Sequence, residues 1–348
     1  MQLSIIVPVY NMTADQKLNQ CLDSLLSQTI SDYEIIAVDD ASTDDSLRVL
    51  RQYEEKYPGR IKVIASEKNH RQGGAKNRGI KAAQGEWIGF IDSDDWIAPD
   101  MYEKLITKAE QTGADLAGCD YSYVSGYTMQ PGKIVVNNTA EQAGVLDAER
   151  HKKLLLRPGS MVVKIYRRQV MIEHHLDFPE DIFYEDNCAS PLWSLYFTHF
   201  ERVEEPLYFY RMLEDSTTHC VTWERCLDRM KTGELFLQEC KKRNLYNAYR
   251  DEIEYWFTKI YYATTLFSYM YSGRRQKLAN TALLRRKIRE FVPDFQDNPY
   301  YKDMTPTEDQ KLIAMHMRSN FLFFLYYKLL FGYRRLRKKL QTESTDGK

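Results

Sequence analysis

Three acidic clusters carry the chemistry legible in this chain, and each closely follows an apolar or aromatic run. The sharpest is Phe90-Ile91-Asp92-Ser93-Asp94-Asp95-Trp96. Three carboxylates within four residues repel one another unless a cation or hydrogen bonds compensate. Their hard oxygens suit Mg²⁺ or Mn²⁺, which completes its shell with water and phosphate oxygens. The plainer reading is an N-cap cluster ahead of the next helix. The second cluster is Val38-Asp39-Asp40-Ala41-Ser42-Thr43-Asp44-Asp45. It reads equally as a capping turn or as a carboxylate offered to a base N–H. The third is Tyr184-Glu185-Asp186-Asn187. By itself it reads first as acid at a helix start, where the dipole favours it.

The elements that must position these clusters alternate. Apolar, β-branched runs at 3–9, 33–39, 61–65 and 87–91 predict strands, and a fifth begins at 115. Between them, 18–28, 46–57, 74–83 and 100–112 predict helices, the last opened by Asp100 and Glu103 at capping-box spacing. Such alternation predicts an α/β fold, a mostly parallel sheet with helices on both faces. Ligands then sit at the carboxyl ends of the strands, where the turns 39–45 and 92–95 lie. Residues 124–150 read as an irregular insertion, 161–166 as a strand, 186–196 as a helix and 200–210 as a strand or strand pair. Residues 212–220 read as a polar loop. From 222 the pattern turns helical, over 226–243, 249–271, 281–291 and 308–333. The expected domain boundary therefore falls between 221 and 222.

Composition narrows the function. The 348 residues suggest two domains, and Lys+Arg 48 against Asp+Glu 49 nets −1. A balanced chain makes no basic field, so nucleic acid is not expected as a partner. The six cysteines form no CxxC pair, so reduced, non-ligating thiols are expected. No run reaches the roughly 18 apolar residues of a membrane span, and the start MQLSIIVPVYN lacks the basic region of a secretory signal. A cytoplasmic protein is the expectation.

Together and in order, the stretches SIIVPVYN (4–11), VDDASTDDS (38–46), GGAKNRGI (73–80), GEWIGFIDSDDW (85–96), FPEDIFYEDN (178–187) and YRMLEDSTTH (210–219) resemble the family 2 glycosyltransferases. The chain closely resembles bacterial enzymes of capsule, exopolysaccharide and lipopolysaccharide synthesis. The resemblance covers about 1–220 and implies the GT-A fold. It implies a nucleotide-sugar half at about 1–123 and an acceptor half at about 124–221. It implies an inverting, metal-dependent enzyme using a nucleotide-sugar, expectedly a UDP-sugar, and a glycan or polyprenyl-linked acceptor. By that resemblance Pro8, Val9 and Tyr10 begin the nucleotide pocket and Asp39 takes the uracil. Asp92-Ser93-Asp94 is the DXD motif, with Asp94 and Asp92 on Mn²⁺ or Mg²⁺. Asp186 is the base with Glu185 beside it. Lys76, Arg211 and Ser216 serve the donor, and His219 is a further candidate metal ligand. The chain departs from the family at Lys76, where Arg is common, and at Ala41, where Gly is usual. Two other readings compete. One is a degenerate member acting as a membrane-bound assembly partner. The other is a sugar nucleotidyltransferase, disfavoured because Tyr10-Asn11-Met12-Thr13 is not a Gly-rich loop.

The tail FLFFLYYKLLFGY (321–333) is too short to span a bilayer and is followed by the basic run Arg334-Arg335-Leu336-Arg337-Lys338-Lys339. This suits a helix lying in an anionic membrane surface, on the inner face of the cell membrane. A docking helix with a solvated basic end is the plainer alternative.

Overall fold

A computed structural model describes residues 1–212, 221–272 and 276–345, with side chains through Tyr333. The described residues form two compact units. One takes residues up to 212 with Leu235–Leu245, and the other takes 221–234 and everything from Tyr246 on.

The first unit opens on β1 (Leu3–Val9), α1 (Lys17–Leu26), β2 (Tyr33–Asp39), α2 (Ser46–Lys56), β3 (Ile61–Ala65), α3 (Arg71–Ala82) and β4 (Trp87–Phe90). β1 and β2 are buried at every position, so both sheet faces are covered. The chain continues through β5 (Trp96–Ile97), α4 (Met101–Thr112), β6 (Leu116–Val124), β7 (Lys133–Val135), β8 (Gly144–Val145), α5 (Ala148–Leu156), β9 (Lys164–Arg167), α6 (Arg168–Glu173), α7 (Asp186–Trp193) and β10 (His199–Arg211). The sheet order is β3-β2-β1-β4-β9-β6-β10-β5, with β7 on β6 and β8 on β10. β1 to β4 are mutually parallel and β10 is parallel to β6, while β9 runs antiparallel to both β4 and β6. The order reverses between β1 and β4, which opens the crevice at their carboxyl ends.

Several expectations need correction. Residues 124–150 are not irregular throughout but carry β7 and β8, and α5 begins at Ala148. Of the strand or strand pair expected at 200–210, the structure has the single strand, bulged between Val203 and Tyr208 where Pro206 interrupts the ladder. The expected capping box at Asp100 does not form: its carboxylate pairs with Lys104 at 2.8 Å, and Glu103 accepts from the Thr29 hydroxyl. Tiny β5 was invisible in the pattern.

The helical elements that follow are α8 (Trp223–Lys242), α9 (Arg250–Phe257), α10 (Thr265–Tyr271), α11 (Leu278–Phe291), α12 (Pro299–Met304), α13 (Thr307–Arg318) and α14 (Asn320–Thr345). The expected single helix 249–271 carries a π segment, Thr258–Thr264, between α9 and α10. The expected helix 308–333 breaks at extended Ser319, whose hydroxyl accepts the Leu322 N–H of the next helix. In the second unit a buried network holds α13: the Tyr262 hydroxyl lies 2.7 Å from His316 Nδ1, and His316 Nε2 lies 2.9 Å from Asn320 Oδ1. Burial pushes His316 down to about 4. Among the described residues no helix is long and apolar enough to cross a membrane.

Candidate active site

The end of β1 and the turn after β2 are stitched together by side chains. Asn11 Oδ1 accepts from Thr43 N at 2.8 Å, and Asn11 N donates to Ser42 Oγ at 3.0 Å. The Thr13 hydroxyl and N–H donate to Asp44 Oδ2. These bonds, with those from Ser46, outweigh burial and draw Asp44 down to about 2. Asp44 is thus spent on structure. Asp39 is only half used: Oδ2 accepts from Ser42 N at 3.1 Å, and buried Oδ1 has no partner. Pro8 and Val9 are buried within β1, so of the expected pocket trio only Tyr10 presents its side chain. Ala41 sits at φ 59°, where Gly would be at ease. The departure from the family pattern therefore carries a backbone cost.

The turn after β4 sorts its three carboxylates. Asp95 is buried and accepts from the Tyr208 hydroxyl at 2.6 Å and from Arg211 N at 2.8 Å, so it anchors the end of β10. Ser93 is buried beside it. Asp92 Oδ1 is buried with no hydrogen-bond partner. Desolvation raises Asp92 to about 6 against the pull of Lys76, and the charges of Asp94, Glu185 and Asp186 add to it. Asp94 is raised by burial as well, with Lys17 and Arg211 opposing. Arg211 places its guanidinium 4.9 Å over Trp96, donates to Gln20 Oε1 and leaves Nε buried without a partner.

The third cluster is clamped onto α3. Asn77 Nδ2 donates to Phe178 O and Glu180 Oε1, both at 2.9 Å, and Asn77 Oδ1 accepts from Phe178 N at 2.8 Å. A Cβ on Gly73 would lie 2.0 Å from Pro179 O, so only glycine lets the loop approach this closely. Asp181 and Tyr184 take positive φ as the loop turns into α7. Glu185 is buried at 4% exposure and pairs with Lys76 Nζ at 2.8 Å. Burial opposes the Lys76 charge, yet Glu185, Asp92 and Asp186 together hold the ammonium above its usual range. Without a donor present, Lys76 is thus the internal counter-ion of these carboxylates. Asp186 opens α7 and stays reachable by solvent. The protein around it still desolvates its carboxyl and, with the Glu185 charge, raises it to about 6.

One carboxylate neighbourhood thus gathers Asp92, Glu185 and Asp186 around Lys76, with Asp94 beside Asp92. Among the described residues no three His, Cys, Asp or Glu side chains converge closely enough to hold a metal by themselves. Ser216 and His219 lie outside the described residues, as does the loop 213–220. Gln20 and Tyr208 went unrecognised in the sequence, and no local signal marks them: Tyr208 lies 113 residues from its partner Asp95.

Residues 4–168 match the family model for glycosyl transferase family 2. The chain is also 33% identical over 295 residues to the putative glycosyltransferase EpsH of Bacillus subtilis, covering 81% of this chain and 82% of that one. The chain belongs to glycosyltransferase family 2. Another relative, the uncharacterized glycosyltransferase EpsJ of B. subtilis, is 35% identical, and the match spans 62% of each chain. The crystal structure of S. aureus TarS 1–349 in complex with UDP-GlcNAc superposes with a TM-score of 0.66 at 19% identity, over 96% of this family 2 chain and 92% of that one. That likeness is one of fold, and the fold is GT-A.

Proposed function

We propose that this chain transfers a hexosyl or N-acetylhexosaminyl group from a UDP-sugar to a hydroxyl of a glycan or lipid-linked acceptor in surface polysaccharide synthesis, with inversion at the anomeric carbon and with its catalytic residues within 1–221. The observation that carries this reading is the neighbourhood of Asp92 and Asp186 about the buried Lys76–Glu185 pair, with Asp94 beside Asp92, at the carboxyl ends of β1 and β4. Two relatives' names point the same way. One, 32% identical over 184 residues, is the poly(ribitol-phosphate) β-glucosyltransferase of Bacillus spizizenii, and TarS is solved with UDP-GlcNAc.

The residues divide the work. The unpartnered Asp39 Oδ1 accepts the N–H of the uracil ring. Asp94 and the orphaned Asp92 Oδ1 are the donor set for Mn²⁺ or Mg²⁺, hard oxygens in a number that leaves room for phosphate and water. When bound, such an ion supplies positive charge to the diphosphate. Arg211 adds a fixed cation on the same side. Asp186 takes the proton of the acceptor hydroxyl as its oxygen bonds to the anomeric carbon and the carbon–diphosphate bond breaks. A base facing away from the leaving group makes the displacement in-line, hence inverting. A carboxylate raised toward neutrality is well matched to proton transfer at the working pH.

The test separates binding from chemistry. Asp94→Asn loses the Mn²⁺-dependent part of UDP affinity in calorimetry. Asp186→Asn keeps UDP-sugar affinity while kcat falls by roughly 10²–10⁴-fold. Undiminished turnover in Asp186→Asn, or unchanged Mn²⁺-dependent binding in Asp94→Asn, refutes the assignment.

A second reading concerns place. On α14, Phe321, Leu325, Leu329 and Tyr333 recur every four residues at 61%, 41%, 66% and 63% exposure, while Phe323 and Tyr327 are fully buried. We propose that this bare stripe, with the basic run 334–339 after it, lies on anionic lipid at the inner face of the cell membrane.

A further inference from the structure

Charge is unevenly placed in this chain. It nets −1 over 348 residues, yet between 311 and 340 eight Lys or Arg residues meet no Asp or Glu. α11 adds Arg285, Arg286, Lys287 and Arg289 against the single Glu290, and it packs on α14 within the second unit. The donor chemistry uses none of these residues.

On α11 an open groove of about 410 Å³ is lined by Ala282, Arg285, Arg286, Arg289 and Glu290. Arg285 and Arg286 follow Ala282 by one turn and Arg289 follows them by another, so the three cations share one stripe of the helix. Small Ala282 leaves space between them. Two of the cations are held in place by neutral groups. Arg285 Nη2 donates to Arg318 O at 3.4 Å, and Arg289 Nη2 donates to Met317 O at 2.7 Å. Carbonyls fix a guanidinium without cancelling its charge, and among the described residues neither arginine forms an ion pair. Glu290 instead accepts from Lys287 Nζ at 2.7 Å and lies 3.7 Å from Arg286 Nε.

The groove is therefore left positive. Arg285 is half-buried, and its Nε is sealed without a partner. A cation kept there without a counter-charge costs stability until an anion compensates it. The same field reaches inward: burial chiefly lowers His316, and the charges of Arg285 and Arg289 add to the fall.

Guanidinium forks fit the oxygens of a phosphate, and a phosphate monoester brings about two charges where a carboxylate brings one. The surroundings select what carries that phosphate. Met317 and Arg318, whose carbonyls hold the two guanidinium groups, lie four and three residues before Phe321, and Phe321 and Leu322 are both exposed. Bare apolar side chains next to a cationic groove suit the boundary of a bilayer, which satisfies both together. A nucleic acid would leave the apolar row in water.

We infer that the α11 groove binds the phosphate of a membrane lipid through Arg285, Arg286 and Arg289. This headgroup site rests on the lipid-surface reading of α14 and gives it a defined contact.

The test uses the full chain in buffer without divalent cations. One probe is soluble dihexanoyl phosphatidic acid, titrated by calorimetry, which reads the groove without a bilayer. The other is a set of phosphatidylcholine vesicles brought to one surface charge with phosphatidic acid, a polyprenyl phosphate or oleate. The expected result is binding of the soluble lipid and stronger retention on either phosphate vesicle than on oleate vesicles. Whichever phosphate vesicle retains more identifies the source as a bulk phospholipid or a lipid-linked acceptor. Arg285→Gln with Arg289→Gln weakens both measurements by about tenfold or more. Those arginines also hold the end of α13, so Arg286→Gln is the companion variant: its side chain is 68% exposed and its pair with Glu290 contributes little to the fold. It weakens phosphate binding by about threefold or more and leaves the melting point and UDP affinity unchanged. The inference is overturned if the chain is retained on oleate vesicles as strongly as on phosphate ones, if Arg286→Gln binds the phosphate probes undiminished, or if a DNA or RNA oligonucleotide binds more tightly than they do. Retention on anionic vesicles without binding of the soluble lipid also overturns it and leaves the α14 reading standing. Binding of the soluble lipid without retention on any vesicle overturns the α14 reading and leaves the groove standing.

Discussion

Removing the buried cation tests whether the site is electrostatically built as described. Lys76→Met keeps most of the side chain's bulk and deletes its charge. Lys76 and Glu185 are each 4% exposed and 2.8 Å apart. Breaking such a pair from one side costs about 3–5 kcal/mol, because the remaining charge stays buried. At about 2–4 °C per kcal/mol for a unit of this size, the melting point should fall by about 10 °C. Adding Glu185→Gln removes the stranded charge, and the double variant should recover most of the loss. The same cation holds Asp186 down against burial and the Glu185 charge. A unit charge contributes about 4 kcal/mol at 4 Å for an effective dielectric near 20, and roughly half that at twice the separation. Since solvent reaches Asp186, about 1 kcal/mol is a fair share, close to one pH unit. Asp186 must be ionised to accept a proton, so transfer rises with pH across its titration. Without Lys76 that acidic limb should move to higher pH by about one unit. Thermal melts of both single variants and the double variant, and the pH dependence of transfer, are the assays. A melting loss under about 1 kcal/mol with an unmoved acidic limb would show that Lys76 neither stabilises Glu185 nor tunes Asp186.

Asp92→Asn should raise stability near pH 7.5 by about 1–2 kcal/mol while abolishing metal-dependent donor binding, because the folded state raises Asp92 to about 6. For an acid so raised, stability is present at low pH and lost as pH climbs through 6; a variant with no gain at neutral pH in thermal melts refutes this. His316 titrates in the opposite sense: with its folded value lowered to about 4, stability of its unit is full above about 6.5 and declines by up to about 3 kcal/mol toward pH 4. Hydrogen exchange in α13 should show that decline in the native chain and a flattened profile in His316→Gln. On α14, Phe321→Glu with Leu329→Glu should abolish retention on anionic vesicles and spare UDP binding; undiminished retention would remove the exposed stripe from the membrane reading.

What the sequence by itself determined follows from local physics. The runs LSIIVPV and YEIIAVD are continuously apolar except for Ser4, Glu34 and closing Asp39, and only a strand covered on both faces buries such a run. Alternation of such runs with amphipathic segments then gives the α/β class, and the acidic turns fall at the strand ends by simple order. Ordered motifs gave the family. Tertiary structure decided how the acidic residues divide. Asp92, Asp94 and Asp95 are near neighbours in sequence, yet Asp95 is consumed by Tyr208 and Arg211 while Asp92 is left with an unpartnered oxygen. Lys76 and Glu185 lie 109 residues apart, and no periodicity announces their pairing. Local pattern encodes which face of an element is apolar, and that suffices for strands and helices. Which buried charges meet depends on register, on the close approach at Gly73 and on the Asn77 clamp, all of which exist only once distant segments are packed together.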